Sequence, residues 1–587
     1  MQRIKNLDMK NLFRSQSLLA LMLFPMTCVP VPVPAQTDVQ LSAIMTLAGV
    51  SSEEELDEQE IERFLRFISH PLEINLDSRS KLLSGGLLSR YQVASLEDYR
   101  SRNGDVLSFS ELALVDGFGK DFADALRPFV SLRSRSAPGE LPDDSLRFRQ
   151  ELLARLASRG GKFNYGVKYR MYAGDISEFG AAGRTAYSDK RQFPPSTWSF
   201  SGVWYGRKRP WRIIVGDYNM RIGQGLALWS GLSLSGFSSS SSFYRRPTGL
   251  SPSFSWSGTG THRGLASDFQ AGRFTFTPFL SFPGLRSRWE GKDPPVEFLP
   301  GINVDYFARN GELSITTFGN GSSGKVSGAF RWNWKGTDLF GEAAADLYGH
   351  GFSMVAGSVL PLGGDWKLSW QARKTDRDGV AAGLERHGFQ LTGEFSAKNG
   401  DRSIRQYKAF MKLPVQLGRN SVLSFRFTER IRPYEAILKY RTGARIDVDY
   451  SSAGLSARYG ESEGHSWKGR ARIEGLLCRS LSGLSYIECG RKTERYSAYL
   501  RGTVFMVDNW DDRIYSYERD APGNFNVPAY YGRGYSLSAV GGSRFRLGTG
   551  KTKTLKVYFR VSTTRYPFME EPKPSRTEVR LQAMATL

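Results

Sequence analysis

The sequence carries 587 residues, 62 of them Gly, with 13% aromatic and 24% charged residues and a formal net charge of +22. At about 150 residues per domain that length suggests four soluble domains. A mean hydropathy of −0.38 beside 37 Phe, 26 Tyr and 12 Trp instead favours a β-rich chain over disorder, and the lack of any run of about 20 apolar residues beyond the N-terminal segment excludes a bundle of transmembrane helices.

Residues 1–35 read as a secretory signal. Arg3, Lys5, Lys10 and Arg14 make a basic start, Leu18 to Val29 an apolar core, and Val33 and Ala35 the small residues before a cut at Gln36. Pro25, Pro30, Pro32 and Pro34 would break a spanning helix there. The residues before Cys28 do not form the small-residue box of a lipid anchor. The chain is therefore expected to be exported, with 36–50 a short linker.

Residues 51–133 read as a small all-α domain. Ser51 or Ser52 can cap a helix whose first turn is crowded with acids, and Ile61, Phe64, Leu65 and Ile68 fall on one stripe. His70-Pro71 ends it. Helical patterns follow from Ser89 to Arg102 and from Ser108 to Val115, with Asn103-Gly104 as a stop and Ser108 to Glu111 as a capping box. Val115 to Lys120 then opens another helix through Leu126. Its two glycines permit a tight turn whose amides can hold a phosphate.

The phrases NLDS, YRSRNG, LSFSEL, VDGFG and LRPFV across 71–132 resemble the helix-hairpin-helix repeat, in the tandem form of competence DNA receptors. The resemblance implies that Gly117, Phe118, Gly119 and Lys120 form a hairpin binding the DNA backbone through main-chain amides. The first hairpin, near Leu87-Leu88-Ser89, lacks the two glycines of that pattern. The domain also holds ten Lys or Arg against sixteen Asp or Glu, a net of −6. Duplex binding ordinarily rests on several phosphate-neutralising cations, so the alternative is a module that docks another protein.

Residues 134–587 hold 66 Lys or Arg against 40 Asp or Glu, a net of +26. After a linker at 134–160, the stretch 161–587 alternates apolar with polar. Tyr165, Val167, Tyr169 and Met171 oppose Lys168 and Arg170, and Val326, Gly328, Phe330, Trp332 and Trp334 share a face. The same holds for Phe389, Leu391, Gly393 and Phe395, for Leu423, Phe425 and Phe427, and for Leu555, Val557, Phe559 and Val561. Segments near the ~9–11 residues that cross a bilayer predict a large antiparallel transmembrane β-barrel of roughly 16 to 20 strands. Trp198, Tyr205, Trp211, Tyr218, Trp366 and Trp370 are expected in its interfacial girdles. The chain ends at Leu587 rather than the aromatic usual in such barrels. The stretch 216–249 reads as a long loop, outside or folded into the lumen, and 508–536 as a second one suited to the surface.

Cys478 and Cys489, eleven positions apart, can staple one hairpin in an oxidising compartment, or remain two thiols. Five His residues occur, none with metal-ligand spacing, and no motif asks for a cofactor. His262 lies among serines, but their abundance there is compositional. Asp511-Asp512 and the pairs Asp376 with Asp378 and Glu461 with Glu463 suit turns or loosely held Ca²⁺ better than acid–base work. No enzyme is expected.

A helix-hairpin-helix domain fused before an outer-membrane barrel is similar to a protein family common in the Bacteroidetes, and GDYNMRIGQGLALWSG and RIYSYERDAPGNFNVPAYYGRG look like its recurring phrases. The resemblance implies an outer-membrane barrel with its N-terminal domain in the periplasm. The barrel's positive charge then has three readings. Inward arginines would favour anionic solutes, outward ones would bridge lipopolysaccharide phosphates, or a basic lumen would pass DNA to the module. The expected function is non-enzymatic binding or passage of DNA, with an anion-preferring porin or an assembly protein docking another envelope protein as the alternative.

Overall fold

Alternation of period two, with an apolar face towards lipid, builds the wall of this protein. A computed structural model describes residues 39–587 except 57, 135–147, 175, 190–194, 207–209, 232–236, 257–259, 286–295, 399–400, 435–436, 453–465, 494, 548–552 and 572. The expected signal 1–35, Glu461 and Glu463 lie outside the described residues. Twenty-four antiparallel strands, from Phe148–Arg159 to Arg576–Thr586, form a closed barrel. The last pairs with the first from Glu578↔Arg159 to Thr586↔Glu151, so no edge is left.

The outward face is the apolar one throughout. Leu156, Val167, Tyr169, Phe330, Trp332, Leu391, Phe425, Val561 and Leu581 stand exposed on it, while Lys168, Arg212, Asp268, Arg331 and Arg472 point inward and are buried. Only a membrane makes such an inside-out distribution favourable.

Several expectations need correction. The strand number is 24, not 16 to 20. The wall begins at Phe148, inside the stretch expected to be linker. Tyr205 and Tyr218 leave the aromatic girdle and are buried on the lumen side, where the Tyr205 hydroxyl bonds Glu178. Within 36–50, Val39–Ala48 forms a helix (α1), with Ala43, Ile44 and Leu47 in a core.

That core belongs to the N-terminal domain. A 3-10 turn, Glu53–Glu55, leads to α2 (Glu58–Ser69), α3 (Arg79–Ser84), α4 (Arg90–Asn103), α5 (Phe109–Leu112) and α6 (Lys120–Leu126). On α2 the expected stripe positions Ile61 and Phe64 are buried and Ile68 partly so, joined by Phe67 from off that stripe, and Phe64 meets Phe129 with ring centroids 5.8 Å apart. Ser89 caps α4: its hydroxyl accepts from the Gln92 N–H, and the Gln92 side chain accepts from the Ser89 N–H. Leu72–Glu73 and Val130–Ser131 pair in parallel and tie the ends together.

This domain lies inside the barrel. It was expected in the periplasm, yet its side chains bond inward-facing residues all round the wall, from Glu151 and Lys168 through Asp268, Arg331 and Lys367 to Arg426 and Arg472. A barrel of this strand number has a lumen wide enough for such a filling. Both long segments also fold inward. The loop expected over 216–249 starts later, because 216–221 belong to the wall strand Trp211–Arg221; beyond it, Gly249–Pro252 pairs with the end of that strand, and Phe243 is buried under the wall at Gly383. Of the stretch 508–536, expected as a surface loop, 532–536 belong to the wall strand Gly532–Arg546, and the part before it sends Tyr517 and Phe525 onto the helical core.

Candidate functional site: an acidic plug clasped by a basic wall

Glu53, Glu54, Glu55, Glu58 and Glu62 meet cations of the wall. The Glu53 carboxylate accepts from Arg470 at 2.6 Å. Glu54 accepts from Arg472 at 2.6 Å and from Arg445 at 3.1 Å, and Glu55 from Arg426 at 2.9 Å. Along α2, Glu58 accepts from Arg184 at 3.3 Å and Glu62 pairs with Lys168. Burial works against the charge of Glu54, but Arg445, Arg426 and the Tyr517 N–H outweigh it and hold its carboxyl at about 2.

Elsewhere the polarity reverses, and plug cations meet wall acids. Arg66 lies 3.5 Å from Glu178. Arg90, at the start of α4, donates to Asp268 at 2.9 Å, Asn303 at 2.6 Å and Thr277 at 2.7 Å, and pairs with Asp305. Fully desolvated pairs of this kind are costly to break one-sidedly, by about 3–5 kcal/mol, because the survivor is left as a buried charge.

The hairpin Gly117-Phe118-Gly119-Lys120 forms as a contiguous turn. Gly117 and Gly119 have φ of 85° and 69°, the left-handed region that glycine permits, and the Gly117 carbonyl accepts from the Gln92 side chain at 2.7 Å. Phe118 is buried in the helical core, whereas Gly119 and Lys120 are exposed. The turn sits at the end of the barrel that carries mostly short connections, since Tyr91 bonds the Arg309 carbonyl and Asp121 bonds Lys367. The first hairpin is elsewhere. It is covered by the inner loop, with the Arg90 N–H bonded to the Pro247 carbonyl. The structure therefore does not bring the two hairpins onto one open face.

Cys478 and Cys489 are not joined, contrary to the expected staple. Cys478 lies in the turn just after Leu477, while Cys489 pairs with Gly469. Eight register steps put them on the order of 27 Å apart, against the 7 Å limit for a bridge. Asp512 caps that same turn, accepting from the N–H groups of Arg479 at 2.8 Å and Ser480 at 3.0 Å. His262 accepts or donates to Ser281 at 3.1 Å, but Ser281 is buried and bonded to Tyr218, and the neighbouring Asp217 is held by Arg263 at 2.7 Å.

No family model matches the chain, and no curated protein matches it. Among solved structures, the chain is similar to the P pilus usher (PapC) translocation pore, with 7% identity and a TM-score of 0.36 over 75% of this chain and 99% of that one. It is also similar to Pseudomonas aeruginosa OccK5 (OpdH), with 10% identity and a TM-score of 0.27 over 75% and 97%.

The residues that sequence reasoning missed are the wall partners, above all Arg426, Arg445, Arg470 and Arg472. A signal for them existed: a net of −6 on one segment and +26 on the rest is the pattern of two surfaces that neutralise each other.

Proposed function

We propose that this protein is a non-enzymatic outer-membrane channel closed by its own N-terminal domain, and that it prefers anions when the domain yields. The clasp of Glu53, Glu54, Glu55, Glu58 and Glu62 on wall cations carries the reading. A plug removed from that ring leaves arginines lining an aqueous lumen, which favours anionic solutes. The short connections mark the periplasmic end, as in barrels of this class, so the exposed hairpin faces the periplasm.

In this reading the helix-hairpin-helix resemblance describes the framework of the plug. The exposed part of the hairpin itself, Gly119 and Lys120, offers a single cation where a duplex takes several. A second reading, docking of an envelope protein, is favoured by Leu107 and Leu114, which stand 66% and 79% exposed on the plug near that hairpin.

Planar-bilayer recordings of the full chain test the proposal. The unaltered protein is expected to stay closed, and the double variant Arg66→Ala, Arg90→Ala to show anion-selective openings. Cation-selective openings, or an unaltered chain that conducts steadily, would overturn it.

A further inference from the structure

Three adjacent strands, Asp401–Gln416, Ser421–Tyr434 and Ile437–Ser451, place Lys412 directly opposite Arg426, and Arg426 directly opposite Arg445. Like charges in facing positions of a sheet repel. The next strand, Ser466–Leu477, adds Arg470 and Arg472, both buried. Asp447, Asp449 and Glu474 neutralise part of this cluster, leaving five cations against three wall acids. The excess is covered by a single tripeptide, Glu53-Glu54-Glu55, lying across the row.

That cover balances the charge but leaves donors unused. The Arg472 side chain is fully buried, yet its Nη2 has no hydrogen-bond partner, and neither does the Arg426 Nε. Lys412 reaches the strap only through the Ser51 carbonyl at 3.3 Å. A row of facing cations with spare donors is the chemistry of a site for a multiply charged anion.

We infer that Lys412, Arg426, Arg445, Arg470 and Arg472 form a binding site for a flexible oligo-anion, one carrying three or more phosphates or carboxylates on a short chain, and that Glu53–Glu55 is its internal competitor. The strands that carry them lie about 4.8 Å apart, close enough for one such chain to bridge side chains from several of them. Arrival of the ligand displaces the strap and with it one side of the plug. The inference rests on the reading of the N-terminal domain as a releasable plug, and it names the solute class for that channel.

Titration calorimetry on the detergent-solubilised full chain tests it without requiring conduction. Tripolyphosphate and the peptide Glu-Glu-Glu are the two probes, with orthophosphate as the reference. The variant E53Q/E54Q/E55Q is expected to bind at least one probe about tenfold tighter than the unaltered chain does, and R470Q/R472Q in that background to abolish binding. Which probe binds separates phosphate from carboxylate. Equal affinity with and without the strap carboxylates, or binding that survives loss of the arginines, would overturn the site. Should the strap variant fail to fold, limited proteolysis of the unaltered chain decides. Millimolar tripolyphosphate should speed cleavage within 51–69 over chloride of equal ionic strength, and no difference overturns the proposal. A channel that never opens while tripolyphosphate still binds would remove the gating reading and leave the site standing.

Discussion

Arg90 of the plug and Asp268 of the wall are joined at 2.9 Å, and the other oxygen of the same carboxylate is held at 2.7 Å by Arg212, itself a wall residue. Asp268 thus belongs to both parts. Arg212 comes from the wall itself, so one of the two cations on the acceptor for Arg90 is independent of the plug.

Replacing Arg90 should therefore loosen the plug and spare the barrel. Arg90→Ala strands Asp305 and half of Asp268 without a counter-charge, at a cost of about 3–5 kcal/mol to seating. Protease sensitivity within 39–134 should rise on the order of a hundredfold or more, while heat-modifiable migration of the barrel on gels stays unchanged. Equal protease sensitivity in the two proteins would show that this contact does not hold the plug.

A second junction pins the inner loop. The Glu342 carboxylate accepts from the backbone N–H groups of Gln224 at 2.6 Å, Leu226 at 3.1 Å and Ala227 at 3.2 Å. Gly223 and Gly225 give the backbone its left-handed turns, with φ of 57° and 81°, which is the role of the RIGQG phrase. Glu342→Ala leaves three N–H groups without an acceptor and should cost roughly 2–3 kcal/mol locally. Hydrogen exchange across 222–231 should then accelerate, with exchange at 299–319 unaltered. Unchanged protection of 222–231 would mean the loop is held by something else.

The wall was legible because lipid imposes a strict rule on every second residue. Val167 and Tyr169 point out and Lys168 in, as the alternation says. The count failed where the inner face is not aqueous. Phe340, Phe410, Tyr486 and Phe505 face inward yet are buried against loops or plug, so their strands lose the clean contrast. Four helices were legible from caps and stripes, but α1 and the six-residue α3 were not: VQLSAIMTLA is apolar on nearly all sides, and RSKLLS is too short to show a period. Above all, the place of the domain was hidden. Each of Glu53, Glu54 and Glu55 reads as an ordinary acid near a helix start, and its partner lies some 370 to 420 residues away in the chain. Local pattern cannot report a pairing of that range.

The two cysteines give a direct check on register. Since Cys478 and Cys489 sit at opposite ends of one strand pair, unreduced protein that is unfolded in the presence of a maleimide should take up two labels in the mature chain. Reducing agent should leave the thermal midpoint unchanged, because no cross-link constrains the unfolded state. A count of zero without reductant would demand a different register between Ser466–Leu477 and Leu481–Lys492.

Acid should release the clasp in a defined window. Glu54 is held at about 2, below the ordinary carboxylate range near 4.3, by Arg445, Arg426 and the Tyr517 N–H against the effect of burial. A depressed carboxyl stabilises the seated form fully above its unseated value and loses that contribution as pH falls through the seated one. The Glu54 contribution to plug retention should therefore be flat from pH 7 to about 5 and decline from about 4 towards 2, by roughly 3 kcal/mol. Glu62 acts in the opposite sense: burial beside Lys168 raises it, so its contribution is largest in acid and is lost as pH rises. Glu62→Gln should leave the acid limb in place, whereas Glu54→Gln should remove it and lower retention at pH 7. Proteolysis within 51–69 by an acid-active protease, followed across this range, reads both. A Glu54→Gln chain with the same acid limb as the unaltered protein would assign the release to another carboxylate.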